Sequence, residues 1–354
     1  MDVVASAPAG EQSRALEFNG TLREYVPIAA TNALLTLVTL FIYRSWAKAR
    51  SRRYLWSRTW LIDDELVWSG TGKEMFVGFI VGIVFLAIAG LAINLGLPAL
   101  AIRAGPLPAV GALAALYLAG FFLYSIARYR ALRYRLTRTW WHGMRGGSDK
   151  AGWAYGRKAI GYYLAAFLSL GFLYPWTQAK LWNERWRDMS FGQQQFSADM
   201  TTKATRAPFY IFWVLFIVGN GVLGLLRDPN VVVWGPGYPR LVIPLLAYAI
   251  MGIAYVNYLA AFYVAAVDNT HVGGLEFSFE AEMGDWVTFY LRTIGLTIVT
   301  LGLAVLIYDY RKWRFITSHL NIYGSIDIDA LAQSRTSAPR EAEGFLDALD
   351  IGAF

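Results

Sequence analysis

The chain has 354 residues, of which 56% are hydrophobic and 16% are charged, and its formal net charge is +7. A charged share this far below the roughly 25% of ordinary soluble domains excludes a typical water-soluble fold, and the lack of Cys excludes disulfides and thiolate metal sites. The basic residues stand against apolar runs, where anionic lipid is the nearest counter-charge, so they do not indicate a nucleic-acid partner.

The first predicted element is a cytosolic N-terminal segment, residues 1–25, which is polar and lacks the apolar stretch of a signal peptide. An interfacial or re-entrant helical segment follows at 26–46. A basic junction with seven Lys and Arg then occupies residues 44–74. The Trp and Tyr beside these cations are typical of the aromatic belt at a membrane surface.

Four uncharged runs are long enough to cross a membrane. A hydrocarbon core about 30 Å thick takes roughly 20 apolar residues, which must be helical because lipid offers no partner to backbone polar groups. The predicted crossing helices cover about 76–101, 108–127, 208–226 and 241–266.

Three short elements recur and divide the membrane domain, 26–330, into repeats at about 26–150, 151–285 and 286–330. They are Thr39-Leu40-Phe41, Ser169-Leu170-Gly171 and Thr300-Leu301-Gly302, followed after eight residues by Arg50, Lys180 and Arg311 respectively. We predict that they are the turns of segments that dip into the membrane and return, near 26–46, 159–179 and 287–308. Gly171 and Gly302 would supply the positive φ that such turns need.

A second pattern places Arg-Tyr before Arg-Thr-Trp at identical spacing, at 53–60 and 133–140. Short alternating runs, Leu66–Gly70 and Leu275–Phe279, predict short cytosolic β-hairpins. The expected fold is an α-helical polytopic membrane protein. Each weakly repeated unit combines a re-entrant or interfacial helix with a transmembrane helix pair, and short β-hairpins lie in the cytosol.

The run Leu34–Tyr43, followed by Trp46–Arg50 and Arg53-Tyr54, resembles the DUF898 family of inner-membrane proteins over about residues 15–330. The family has Gly where this chain has Phe41. The resemblance implies a membrane protein with no established chemistry. Family members are often encoded beside a membrane metallopeptidase, so such an enzyme is implied as a possible partner.

The distribution of Lys and Arg sets the expected orientation. Residues 44–74 and 128–158 hold seven and nine, whereas 103–107 and 227–240 hold one and two, so the first two regions are expected in the cytoplasm. With four crossings, the loop 177–207 and both termini are also cytoplasmic. The alternative has seven crossings, with 1–128 and 159–267 as inverted repeats and 177–207 outside, which suits the five acids of 268–286.

Basic residues near the helix ends are the candidate lipid- or anion-binding groups, since the guanidinium fork matches phosphate geometry. The other interpretation is that they only anchor the chain as positive-inside residues. The candidates are Arg50, Arg53, Arg58, Arg130, Arg133, Arg138, Lys180 and Arg311.

No catalytic motif is present, so no enzyme activity and no cofactor is expected. His142, His271 and His319 are weak metal-ligand candidates because they lack a ligand spacing. Asp63, Asp64 and Glu65 are interpreted as a hairpin turn.

The last segment, 331–354, is expected to be a flexible tail, with an acidic amphipathic helix from Glu341 or no structure as alternatives. The function hypothesis is a non-enzymatic inner-membrane protein that contacts lipids or binds a partner. The alternative is a transporter or channel built on inverted repeats.

Overall fold

The computed structural model describes residues 2–4, 15–148, 150, 152–227 and 242–327. The tail 331–354, and the predicted outer loop from residue 228 onward, lie outside this description. The helices are α1 (Leu22–Val38), α2 (Arg44–Ser57), α3 (Gly72–Leu91), α4 (Leu97–Ala104), α5 (Pro106–Arg138), α6 (Trp153–Leu168), α7 (Tyr174–Arg187), α8 (Arg206–Arg227), α9 (Val242–Asp268), α10 (Met283–Val299) and α11 (Tyr308–His319). A π-helical segment, Ala92–Gly96, joins α3 to α4, and a 3-10 segment, Leu303–Ile307, precedes α11.

The strands are short and alternate with the helices. They are β1 (Asp2–Val4), β2 (Leu16–Phe18), β3 (Thr59–Leu61), β4 (Asp64–Glu65), β5 (Val67–Trp68), β6 (Thr139–Trp141), β7 (Met144–Gly147), β8 (Ser190–Phe191), β9 (Gln194–Ala198), β10 (Thr270–Val272), β11 (Leu275–Phe279) and β12 (Leu320–Asp327).

Within the described residues, four helical stretches are long and apolar enough to cross a membrane, as predicted: Gly72–Ala104, Pro106–Arg138, Arg206–Leu225 and Val242–Asp268. At about 1.5 Å per residue, α5 with its 33 residues is roughly 50 Å long, well beyond a hydrocarbon core. Its last turns, from Arg128 to Arg138, carry five Arg residues and do not belong to the apolar stretch.

Each of the three segments predicted to dip into the membrane is a helical hairpin. The first hairpin is α1–α2, the second is α6–α7 and the third is α10 with the 3-10 segment and α11. Their turns lie at the three recurring elements, and the expected positive φ of Gly171 (89°) and Gly302 (93°) is confirmed.

All three turns have the same backbone. The residue before the glycine position also has positive φ, at Leu40 (48°), Leu170 (51°) and Leu301 (49°), and Phe41 adopts φ 69° although it is not glycine. In each turn the N–H of the third residue donates to the backbone carbonyl five residues earlier, at 2.7 Å. These bonds run from Phe41 to Thr36, from Gly171 to Ala166 and from Gly302 to Thr297. Such a bond pairs a carbonyl that the helix end leaves open.

The hydroxyl residue that opens each turn has a reason to be Thr or Ser. Its oxygen accepts the backbone N–H four residues later, at the start of the returning helix. These bonds run from Tyr43 to Thr39 (2.9 Å), from Leu173 to Ser169 (3.0 Å) and from Ala304 to Thr300 (3.0 Å). The hydroxyl thus ties the end of the first helix to the start of the returning segment.

The β-structure is more extensive than the predicted short hairpins, and this part of the expected fold class needs correction. In the described residues nine strands form one antiparallel sheet in the order β1-β12-β11-β10-β9-β8-β7-β6-β5, and β2-β3-β4 form a second. The run Leu66–Gly70 contains β5, which pairs with the distant β6 (Val67 with Trp140), whereas the run Leu275–Phe279 is β11 and forms the predicted hairpin with β10. Strands far apart in sequence pair here, so local alternation alone could not reveal the sheet.

Apolar side chains of both sheets face a common interior closed by α11. Residues such as Leu16, Trp141, Val272 and Ile322 are buried there. The same strands, with Trp313 of α11, line an apolar cavity of about 200 Å³. This core lies where the two sheets are, and the exposed apolar surfaces of the four long helices lie away from it.

Each helical excursion leaves from one strand and returns to its hydrogen-bonded neighbour. The first hairpin runs between β2 and β3, the helices α3 to α5 between β5 and β6, and the second hairpin between β7 and β8. Helices α8 and α9 lie between β9 and β10, and the third hairpin between β11 and β12. All five excursions therefore start and end at the same layer.

Candidate functional site

A groove separates the first hairpin from the third. It has a volume of about 520 Å³ and is lined by α1, the first turn and α2 on one side, and by residues of the 3-10 segment and of α11 on the other. At the turn end its lining is apolar, with Leu37, Phe41 and Leu306, and toward the sheets it becomes polar, with Lys48, Ser51 and Asp309. The groove thus changes polarity along the hairpin axis.

The polar side of the groove comes from a periodic pattern on α2. Arg44, Lys48 and Arg52 are four residues apart, so they project from one face of the helix. Arg44 is exposed at the start of α2, and Arg52 is buried with its guanidinium 5.0 Å from the ring of Trp68. The three cations therefore run from the open end of the groove to its buried end.

Asp309 links the two hairpins. Its carboxylate accepts two hydrogen bonds from Lys48 Nζ, at 3.0 and 2.9 Å, and both side chains are mostly buried. These two residues also line a smaller cavity of about 30 Å³, together with Arg52, Arg135 and Lys312. Four cations and one carboxylate give this inner end of the groove an excess of positive charge.

Asn32 holds the two helices of the first hairpin together at the same depth. Its Nδ2 donates to the Ala47 carbonyl (3.1 Å) and to Ser51 Oγ (3.2 Å). A carbonyl can only accept, which assigns the nitrogen to that side. Asn32 is 5% exposed, and its Oδ1 has no hydrogen-bond partner. A buried acceptor without a donor costs about 1–3 kcal/mol, so this oxygen is an unusual feature of the groove wall.

Aromatic rings close the inner end. Trp56 stacks on Trp313 with centroids 4.2 Å apart, and Tyr25 stacks on Tyr310 at 5.5 Å. Burial, reinforced by the charge of Asp309, raises the pKa of the Tyr25 hydroxyl, so this ring stays neutral. The wall is therefore aromatic at this end and carries its charge on the basic residues and Asp309.

Two of the sequence-predicted cations have internal partners. Arg133 is buried and donates to the backbone carbonyl of Lys150 at 2.7 Å. Arg138 pairs with Glu74 at 2.8 Å. These residues connect α5 to its neighbours.

The other predicted cations are spread over the surface. Arg58 pairs with Glu24 at 3.3 Å, and the Arg130 guanidinium lies 5.3 Å from the Trp153 ring. Arg50, Arg53 and Lys180 are exposed and Arg311 is half-buried. Their assignment as lipid-binding groups stays a prediction.

The groove borders a different face of α2 from the one that carries the sequence-predicted Arg50 and Arg53. Arg50 and Arg53 lie on the side opposite Arg44, Lys48 and Arg52, because residues two or five positions apart do not share a helix face. The four-residue spacing was a usable signal. What the sequence did not contain was the proximity of Asp309 and Lys312, which are more than 250 positions away.

The three histidines occupy separate elements. His142 lies in the turn after β6 with Nε2 2.8 Å from Asp63 Oδ1, His271 lies on β10, and His319 ends α11. No group of three or more His, Asp or Glu residues placed to hold a metal occurs in the part of the chain that is described. The predicted hairpin turn at Asp63, Asp64 and Glu65 is shorter in the structure: Asp63 lies in the turn, and Asp64 and Glu65 form β4.

The chain is similar to known sequences over most of its length. A family model described as "Bacterial protein of unknown function (DUF898)" matches residues 13–348. The inner membrane protein YjgN of Escherichia coli O157:H7 is 29% identical over 133 residues, covering 38% of this chain and 30% of that protein. The inner membrane protein YjgN of Salmonella typhimurium is 35% identical over 77 residues, covering 21% of this chain and 20% of that protein. Each alignment spans less than a third of the relative. No solved structure matches.

Proposed function

Because the chain belongs to the DUF898 family of bacterial proteins of unknown function, whose curated relatives are named inner membrane proteins, we propose that it is a multi-pass inner-membrane protein that contacts lipid. In this proposal four helices cross the bilayer, and three hairpins enter it from the cytoplasmic side without crossing. Both termini and both sheets lie in the cytoplasm, and the protein acts as a lipid-contacting or partner-binding platform without catalysing a reaction.

The return of every helical excursion to a neighbouring strand carries this proposal. Paired strands lie about 4.8 Å apart, so the start and the end of each excursion are on one side of any membrane plane. In the seven-crossing alternative the loop 177–207 is periplasmic, yet its strand β8 pairs with β7, which that arrangement leaves in the cytoplasm. An intact sheet is incompatible with that arrangement.

The lengths of the helices place the membrane surface. Along α5, Arg128 lies about 15 Å before the sheet-side end at Arg138, and along α2, Arg44 lies about 20 Å before Ser57. The charges nearest the apolar region are therefore at similar heights. On the side of these charges away from the sheets, only the hairpin turns and the four long helices continue. The turns would therefore enter the hydrocarbon at its cytoplasmic edge.

The turns themselves support contact with lipid. Leu40, Leu170 and Leu301 at their tips are 82%, 74% and 95% exposed. Leucine in water at such exposure would lose roughly 1.5–3 kcal/mol relative to an apolar environment. Three tips that expose a leucine on the same backbone are thus suited to insertion into a bilayer.

Cysteine accessibility tests the proposed topology, since the chain has no Cys of its own. Ser197→Cys is exposed on β9 and is expected to react with a membrane-impermeant maleimide only after spheroplasts are opened. The matched variant Ala104→Cys, exposed at the end of α4, is expected to react in intact spheroplasts. Labelling of Ser197→Cys in intact spheroplasts would contradict the proposal and favour the seven-crossing alternative.

A membrane metallopeptidase partner stays a prediction. Among the surfaces described above, the exposed basic residues Arg50 and Arg53 are free to contact such a protein or the bilayer.

A further inference from the structure

We propose that the groove between the first and third hairpins binds one glycerophospholipid whose head group carries a hydrogen-bond donor. This inference rests on the lipid-facing orientation proposed above. It adds the site, the ligand class and the recognition chemistry.

The order of side chains along the groove matches the order of groups in such a lipid. Leu37, Phe41 and Leu306 line the turn end, at the depth where an acyl chain would enter from the hydrocarbon. Arg44 follows one turn closer to the sheets, at the height of the membrane surface. Asn32 and Asp309 lie still farther from the turn, on the cytoplasmic side. The acyl chain of the lipid would thus meet an apolar wall, its phosphate a cationic wall, and its head group a wall that accepts hydrogen bonds.

Arg44 is the phosphate partner in this arrangement. Its guanidinium is exposed in the groove wall and forms no ion pair with any acid in the described residues. A guanidinium binds phosphate through two parallel hydrogen bonds. Behind Arg44, the excess of cations over carboxylates at the inner end adds longer-range attraction for the same anion.

Asn32 identifies the head group. Its buried Oδ1 lacks a donor, whereas its Nδ2 is engaged by Ala47 and Ser51. The ammonium of phosphatidylethanolamine or a hydroxyl of phosphatidylglycerol supplies the missing N–H or O–H. Phosphatidylcholine has the same phosphate and chains but no such donor, so the groove is expected to discriminate against it.

The third hairpin completes the site. Leu306 and Asp309 come from a segment far from α1 and α2 in sequence, and the Lys48–Asp309 pair fixes the width of the groove at its inner end. At the second hairpin, aromatic side chains of α8 pack on the turn instead, with the Phe172 ring 5.2 Å from that of Trp213 and 5.9 Å from that of Tyr210.

Native mass spectrometry of the purified full chain in detergent tests the assignment. Phosphatidylglycerol, phosphatidylcholine and inorganic phosphate are added separately. We expect one bound phosphatidylglycerol and at least tenfold weaker retention of phosphatidylcholine. In Arg44→Gln the affinity for phosphatidylglycerol should fall about tenfold, the loss typical of one charged hydrogen bond. Arg50→Gln, on the opposite face of α2, should bind as the unaltered protein does.

Two further variants address the other contacts. Asn32→Leu should abolish the preference for phosphatidylglycerol over phosphatidylcholine. Since Asn32 also joins α1 to α2, Leu37→Trp provides a test at an exposed position: the indole would fill the apolar end, and both phospholipids should bind about tenfold more weakly.

Equal binding in Arg44→Gln and Arg50→Gln would overturn the proposal, as would displacement of the lipid by millimolar inorganic phosphate, which would mark a site for a free anion. If either occurs while Ser197→Cys is still labelled only from the cytoplasmic side, the groove assignment fails and the proposed topology stands. Labelling of Ser197→Cys from outside would remove both.

Discussion

The first and second hairpins have the same turn but present different faces to the rest of the molecule. Arg44, Lys48 and Arg52 stand five, nine and thirteen residues after Thr39, and the residues at the same distances after Ser169 are Tyr174, Gln178 and Trp182. The cationic face borders the groove. The aromatic face packs on the long helices, where Tyr174 stacks on Phe209 at 5.3 Å and Trp182 meets Phe262 at 5.9 Å.

The contrast separates two roles of the sequence. The hydroxyl, the leucine and the third residue of each turn decide the local backbone, and they do so identically. The face of the returning helix decides whether the hairpin joins the packed helices or borders an open groove. The same hairpin turn therefore supports helix packing in the second hairpin and borders a candidate binding site in the first.

The largest expected loss of stability comes from replacing Trp182 of the second hairpin by arginine, the residue type of Arg52 at the same position of the first. Trp182 is 4% exposed and donates from Nε1 to Thr270 Oγ1 over 3.0 Å. Trp182→Arg would bury a new cation beside Arg185 and remove a packed ring, a loss of at least about 3 kcal/mol. We expect little folded protein by size-exclusion chromatography in detergent. Trp176→Arg, at an exposed position of the same helix, should fold normally; equal yields would show that the packing of Trp182 does not matter.

The second-largest expected effect is the loss of stability when alanine replaces the glycine of the second or the third turn, and the two losses should differ. Gly171→Ala places a Cβ 2.4 Å from Trp213 Nε1 in addition to the strain of φ 89°, whereas Gly302→Ala meets open space and suffers only the strain. The costs should be about 2–4 kcal/mol and about 1–2 kcal/mol respectively. Thermal unfolding in one detergent measures the difference, and similar midpoints would mean that Trp213 moves aside.

The ion pair between the first and third hairpins is expected to have a smaller effect. Lys48→Gln introduces the residue found at this position of the second hairpin, and Asp309→Asn removes the partner charge. Each should lower stability by about 1–2 kcal/mol, because the pair is mostly buried and doubly hydrogen-bonded. The double variant should lose less than the sum of the two. Additive losses would indicate that the residues do not interact.

The smallest expected change is a gain. Phe41 adopts φ 69°, where the other two turns have glycine, so Phe41→Gly should relieve strain and raise stability by up to about 1 kcal/mol. The unfolding midpoint should rise slightly in detergent. A fall would show that the exposed ring contributes packing that outweighs the strain.

The sequence by itself determined the long apolar helices, the three turns and the membrane class. Hydrophobic length and the Thr/Ser-Leu-Gly elements act over a few residues, so their consequences could be deduced locally. The candidates Arg50 and Arg53, by contrast, rest on their place in a cluster of Arg near a helix end, and helix periodicity places them on the opposite face of α2 from the groove.

Only the tertiary structure decided that nine of the short strands form one extended sheet and that Asp309 reaches Lys48. Strand pairs such as Val67 with Trp140 connect residues separated by whole helical excursions, and pairing at such distances leaves no local trace. The groove arises in the same way. Its cations are periodic on α2, but its opposite wall comes from the other end of the chain, where folding brings the third hairpin beside the first.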